Sequence, residues 1–123
     1  MPGMSALPKR ILVAYDGSET AERALDTAAQ LVGYGSTLTV VSVAPDGGHS
    51  MRGGFEDARE RLLRRQVTAT YVERVGKPAD EIVQAARELD ADLVVIGRRE
   101  PPAEGSVSAE VVRQAPGDVL VVR

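Results

Sequence analysis

The sequence contains no cysteine and no tryptophan, and it has one phenylalanine, three tyrosines and a single histidine. Without thiols there is no disulfide framework, no thiolate nucleophile and no cysteine-based metal or redox site, a composition suited to the cytoplasm. With so few aromatic rings little remains to sandwich a flavin. The lone histidine, His49, lies in a glycine-rich stretch with no partner acid nearby, so a solvated side chain stands as the plain alternative to a general base. No metal cluster with convincing ligand spacing is visible. Long hydrophobic runs are missing too: nothing approaches the roughly 20 residues that span a bilayer, and the segment from Met1 to Pro8 lacks the charged and apolar regions of an export signal.

An excess of one charge is also lacking. The formal net charge of −3 and a pI near 5.2 provide no long-range attraction for nucleic acid or an anionic membrane. The arginine-rich stretch from Arg59 to Arg65 is interrupted by Glu60 and two leucines, the pattern of a solvated helix face. Internal repeats and low-complexity tracts are absent. What is present is a chain of 123 residues, 43% of them hydrophobic, enough for one domain burying about two-thirds of its unfolded surface.

Apolar runs and helical periodicities alternate along the chain. After a flexible lead over residues 1–8, a domain is expected over 9–123, opening with a strand from Ile11 to Tyr15 that stops at Asp16-Gly17-Ser18. Ala21, Ala24, Leu25, Ala28, Leu31 and Val32 recur on one face of a helix, for which Gly33 and Gly35 offer a left-handed stop. A β-branched strand follows over Thr37 to Val43. Ala44 to Gly54 reads as a mobile loop, then a short helix is marked by Phe55, Ala58, Leu62 and Leu63, and an edge strand is expected over Val67 to Glu73.

Pro78 suits the first turn of a third helix, whose stripe comprises Ala79, Ile82, Val83, Ala86 and Leu89. Its charges, Asp80-Glu81 and Glu88 to Asp92, are expected on the surface. A buried strand over Asp92 to Ile96, a helix from Ser106 to Ala115 ended by Pro116, and a last strand over Val119 to Val122 complete the pattern. Such alternation, with strands apolar at nearly every position, specifies an α/β fold: a doubly wound, five-stranded parallel sheet with helices on both faces. Placing the switch point between the strands that enter Asp16 and Gly97 gives the order 3-2-1-4-5, with a ligand crevice where Asp16, Val43 and Gly97 converge.

Two turns in this pattern carry candidate chemistry. Asp16 can accept hydrogen bonds from an adenine amino group or a ribose hydroxyl, while Asp-Gly-Ser is equally an ordinary turn whose carboxylate satisfies backbone amides. Gly105-Ser106 opens a helix whose free amides and positive dipole end favour an anion; simple capping by Ser106 is the alternative.

Taken together, Ile11-Leu12-Val13-Ala14-Tyr15-Asp16-Gly17-Ser18, Gly76-Lys77-Pro78-Ala79-Asp80-Glu81-Ile82, Ala91-Asp92-Leu93-Val94-Val95-Ile96-Gly97, Gly105-Ser106-Val107-Ser108 and Val119 to Val122 resemble the universal stress protein family over almost the whole chain. The resemblance implies a Rossmann-like fold of the adenine nucleotide alpha hydrolase type, dimerisation and production under stress, without one agreed reaction or catalytic residue. In the family's ATP-binding branch the phosphate motif is Gly-x2-Gly-x9-Gly-Ser/Thr. Its first glycine falls on Gly97 and its closing pair on Gly105 and Ser106. Ala14, Tyr15, Asp16 and Val43 match the strand ends that hold adenine and ribose, and Val107 matches the helix start that meets the phosphates.

The match breaks inside the loop. Glu100 stands where the second glycine belongs, and Pro101-Pro102-Ala103-Glu104 leaves the loop about five residues shorter than the motif. The prolines provide no amide donors, and the two glutamates put negative charge where a triphosphate needs positive potential. At roughly 1.5 to 3 kcal/mol for each charge-assisted hydrogen bond, two or three missing donors lower affinity by two orders of magnitude or more. Arg98 and Arg99 can grip phosphate oxygens bidentately, or sit solvated on the loop.

The expectation is therefore a dimeric interaction module in which ATP binding is weak or lost. The alternative is a sensor for ATP, AMP or adenosine with at most slow hydrolysis, and a flavodoxin-like carrier using Ser18-Glu19-Thr20 is a remote third. Val119, Leu120, Val121 and Val122 form an apolar edge strand suited to pairing with a second copy across a two-fold axis.

Overall fold

The computed structural model describes residues 8–44, 55–98 and 106–123. The expected loop over 44–54, His49, and Arg99 to Gly105 therefore lie wholly or almost wholly outside the described residues. Among the described residues five strands and four helices alternate: β1 (Arg10–Ala14), α1 (Glu19–Leu31), β2 (Thr37–Ala44), α2 (Glu56–Arg64), β3 (Thr70–Val75), α3 (Pro78–Glu88), β4 (Leu93–Gly97), α4 (Val107–Gln114) and β5 (Asp118–Val122). All pairings are parallel, and the order is β3-β2-β1-β4-β5, as the alternation predicts.

The period-2 alternation of the strands splits the core in two. Ile11 and Val13 of β1 and Tyr15 just beyond it pack with Leu38 and Val40 of β2 against α1 and α2, which contribute Ala24, Leu25, Ala28, Ala58 and Leu62. On the opposite face, Leu12, Ala14, Val41, Val94 and Ile96 pack against Ile82, Val83 and Ala86 of α3 and Val111 of α4. Strands buried on both faces require apolar residues at consecutive positions, which is why β1 and β4 read as unbroken runs.

The amino end of β1 is fixed by a residue far along the chain. Both carboxylate oxygens of Asp92, just ahead of β4, accept backbone N–H bonds, from Lys9 and from Arg10, each at 3.0 Å. Glu88, Asp90 and Asp92 are exposed, as expected of surface charge, yet Asp92 is engaged all the same. So is Glu88, which with Glu81 grips Arg74 of β3 at 2.8 and 2.9 Å, a clamp between α3 and the sheet. On α2, likewise, Arg61 and Arg65 are not simply solvated: both reach Asp26 of α1. Arg59 lies 4.5 Å above the ring of Tyr71.

Four local expectations shift. β3 begins at Thr70 rather than Val67, because Arg65, Gln66 and Val67 bond back to Leu62 and Leu63 and Gln66 takes a φ of 60°, a helix-ending arrangement that delays extension. The stop after α1 is made by an extended Val32, and only Gly35, at φ 84°, is left-handed. Leu63 faces solvent, since Ala58 and Leu62 define the buried stripe of α2. Leu89 lies beyond α3, and Ala85 takes its place in the core.

Candidate functional site

At the carboxyl ends of β1, β2 and β4 the chain leaves the sheet in three turns. Tyr15 N–H still donates to the Val41 carbonyl at 2.9 Å, so the strand is held to its neighbour up to the residue before Asp16. There the chain reverses: Ser18 N–H donates to Asp16 Oδ1 at 2.9 Å across Gly17, whose φ of 85° suits glycine. Ser18 then caps α1, its Oγ accepting from Ala21 N–H at 3.2 Å. One carboxylate oxygen of the exposed Asp16 is thus engaged in its own turn, and Oδ2 makes no hydrogen bond to a described residue.

Tyr15 departs from its neighbours. Ala14 and Val43 pack against the cluster that carries α3 and α4, whereas the Tyr15 side chain enters the opposite cluster, beneath α1 and α2. Burial there, followed by the charges of Glu22 and Asp57, raises the affinity of its hydroxyl for the proton, so it stays neutral at physiological pH. Beside it, Ser42 of β2 is buried with its Oγ unpaired among the described residues.

Gly97 ends β4. A Cβ on this residue would lie 2.7 Å from the Thr20 carbonyl carbon and 2.8 Å from its oxygen. The first turn of α1 therefore rests directly on the β4 backbone, and glycine is required here for packing whether or not a phosphate follows. This contact joins residues far apart in sequence, and no local signal marks Thr20 as its other half. Arg98 N–H then donates to the Val122 carbonyl at 2.7 Å, and its half-buried side chain forms no ion pair among the described residues. Arg99 and Gly105 lie outside the described residues. Ser106 caps α4 by accepting from Ala109 N–H at 3.3 Å, with Val107 as the exposed first helical residue. The capping role is thus realised, and the α4 N-terminus faces the same end of the sheet as that of α1.

The electrostatics do not favour a polyanion throughout. Glu19 and Glu22 occupy the first turn of α1, beside Asp16, and Glu110 the first turn of α4. Among the described residues, no group of three or more histidines or acids is placed to hold a metal, and no helix is long and apolar enough to cross a membrane.

On β5, Val119 and Val121 pack towards α3 and α4 and Val122 towards α1, while Leu120 remains 37% exposed. Arg23 of α1 donates through Nε to the Arg123 carbonyl at 2.9 Å, tying the end of this strand to a helix 100 positions away.

A parallel sheet with a single reversal of strand order, two capped helix N-termini and an acid at the first turn defines a doubly wound protein of the nucleotide-binding kind. Within that class, residues 8–123 match the model of the universal stress protein family, and the chain belongs to that family. It is 38% identical to a Thermus aquaticus universal stress protein, described from the QAH/OAS sulfhydrylase 3' region, over 135 positions covering 94% of this chain and 98% of the relative. That alignment is longer than the 123-residue chain, so the relative carries residues this chain lacks. Among solved structures, a universal stress protein in complex with cAMP superposes with a TM-score of 0.82 at 25% identity, covering 96% of this chain and 99% of the other. An Archaeoglobus fulgidus universal stress protein in complex with dAMP gives 0.69 at 31% identity, with coverages of 95% and 99%.

Proposed function

We propose that this universal stress protein works in the cytoplasm as a dimeric interaction module, residues 9–123 forming its single domain, and that its binding of ATP is weak or lost. The observation that carries this reading is the connection from Gly97 to Ser106: eight residues, two of them proline and two glutamate. A triphosphate needs a wrapping of backbone amides, and this segment supplies too few. The engagement of Asp16 Oδ1 and Ser106 Oγ in their own turns, and the acids in the first turn of α1, support the same conclusion. The dimer rests on the apolar free edge of β5.

A second reading, an adenine mononucleotide sensor, is favoured by the relatives bound to cAMP and dAMP. One phosphate needs far fewer donors than three, and the α4 N-terminus and Arg98 are the donors this reading would use. Calorimetric titration separates the readings. ATP with magnesium is expected to bind with a Kd above about 100 µM. AMP or cAMP binding more tightly than ATP establishes the sensor, and a low-micromolar Kd for ATP overturns the proposal.

A further inference from the structure

We propose that a cavity at the amino end of the sheet seats the ring of Tyr34 from a second copy, the two copies exchanging rings about a two-fold axis. The cavity, of about 120 Å³, is lined by Arg10, Ile11, Thr37, Thr39, Leu89 and Ala91. Arg10 and Thr37 face each other as the first residues of β1 and β2, so it lies at the opposite end of the sheet from Asp16 and Gly97. One wall is set by the way α3 ends. Asp90 takes a φ of 56°, its N–H bonds the Arg87 carbonyl, and Ala91 N–H bonds that of Ala86, a Schellman stop. Leu89 is thereby left 39% exposed at the rim, while Ala91 is buried. Thr39 is buried too, and its hydroxyl bonds no described residue. Arg10, also exposed, reaches Asp90 at 3.6 Å, a weak surface pair.

These groups suit a phenol. Leucine and alanine pack against a ring, a guanidinium binds its face, and the threonine hydroxyl meets the phenolic one. A dry cavity of about 150 Å³ accepts benzene, whereas drug-sized ligands need roughly 300 Å³ or more, so the space fits a single ring. The chain itself displays such a ring. Tyr34 is fully exposed, whereas Tyr15 is buried and Tyr71 lies beneath Arg59. It occupies the second position of a turn closed by Ser36 N–H on the Gly33 carbonyl at 3.0 Å, with Gly35 left-handed at φ 84°. Ser36 Oγ pins that turn twice, accepting from Gly33 N–H and donating to the Pro8 carbonyl. An aromatic held on a rigid apex loses little freedom on docking.

Full exposure means that Tyr34 does not enter the cavity of its own chain. Thr37, three residues further on, lines that cavity, so ring and seat lie side by side on one end of the molecule. A two-fold axis between them fills both seats at once. The contact is small, and copies are expected to associate through it only above about 100 µM. β5 takes no part in it, whether paired or free.

Sedimentation equilibrium of the full chain from about 10 µM to about 1 mM tests this, with the mass at the lowest concentration as the baseline. The wild-type mass is expected to climb with concentration. Tyr34→Ser removes the ring and Leu89→Lys sets a second cation at the rim; each is expected to weaken association about tenfold or more, with the fold intact because both residues are exposed. Mixed, the two variants are expected to associate more strongly than either alone, since the ring of one meets the intact cavity of the other. Added p-cresol, a free phenol, is expected to shift the amide resonances of Thr37, Thr39 and Ala91. A wild-type mass that stays at its baseline, or Tyr34→Ser that associates as the wild type does, overturns the proposal. Loss in both variants without rescue on mixing, or p-cresol that leaves those amides unmoved, overturns the cavity as the seat.

Discussion

The two edges of the sheet are built on opposite principles. The β3 strand carries Glu73 and Arg74, its tyrosine is covered by Arg59 and meets the Phe55 ring in a tilted contact at 5.2 Å between centroids, and Arg74 is locked to two glutamates of α3. At β5 no charge interrupts Val119 to Val122, and the outermost leucine is left part-exposed. Charged and covered edges resist pairing, and bare ones invite it. One sheet therefore has a covered, charged side and a bare apolar side, and the side chains at each edge make the difference.

The comparison breaks most completely at Leu120. Leu120→Lys places a charge at the centre of the bare edge without touching the monomer core. It is expected to raise the dimer dissociation constant about a thousandfold, equivalent to ~4 kcal/mol. Light scattering should then give the mass of one chain, 13.1 kDa. The matching change on the covered side, Val75→Lys, should leave the mass of the dimer unaltered, since Val75 is exposed on a strand already guarded by charge.

Arg74 sharpens the contrast. Replacing it by methionine leaves Glu81 and Glu88 facing each other across an apolar stem. The expected result is a loss of about 1–2 kcal/mol in thermal unfolding, discounted because Glu88 is half-exposed, with the dimer intact.

The smallest effect is a pH dependence at the ion pair that joins Asp26 of α1 to α2, the helix whose Arg59 covers Tyr71 of β3. Hydrogen bonding to Arg61, opposed by burial and reinforced by the guanidinium charges, holds the Asp26 carboxyl below its usual 3.8. A depressed carboxylate contributes stability that is present above its unfolded value and lost as pH falls through its folded one. Wild-type protein should therefore lose up to about 1 kcal/mol below pH 4 that Asp26→Asn lacks from the outset. Urea titrations of both proteins at pH 7 and pH 3 measure this difference.

Much of this was legible from residues alone. The β1 and β4 runs, the helical stripes and the single reversal at Asp16 and Gly97 fix the sheet order, because burial on both faces leaves few other arrangements. The clamps were not legible. Arg74 meets Glu81 and Glu88, and Asp26 meets Arg61, only after separate elements dock, and isolated charges in a sequence look alike whether paired or solvated. At the site, the positions of Asp16 and Ser106 could be read, but the side to which Tyr15 turns depends on strand parity. The need for glycine at 97 comes from Thr20, which lies in another element.

The grip of Asp92 on the first strand has a consequence for synthesis. β1 occupies the middle of the sheet, yet the acid that secures its start lies 83 positions downstream of Lys9. While the ribosome is still adding residues before β4, the nascent chain holds a central hydrophobic strand with one flank unpaired. Closure must await the synthesis of β4, so such long-range pairing folds slowly and products terminated before it are the forms most exposed to aggregation and chaperone capture.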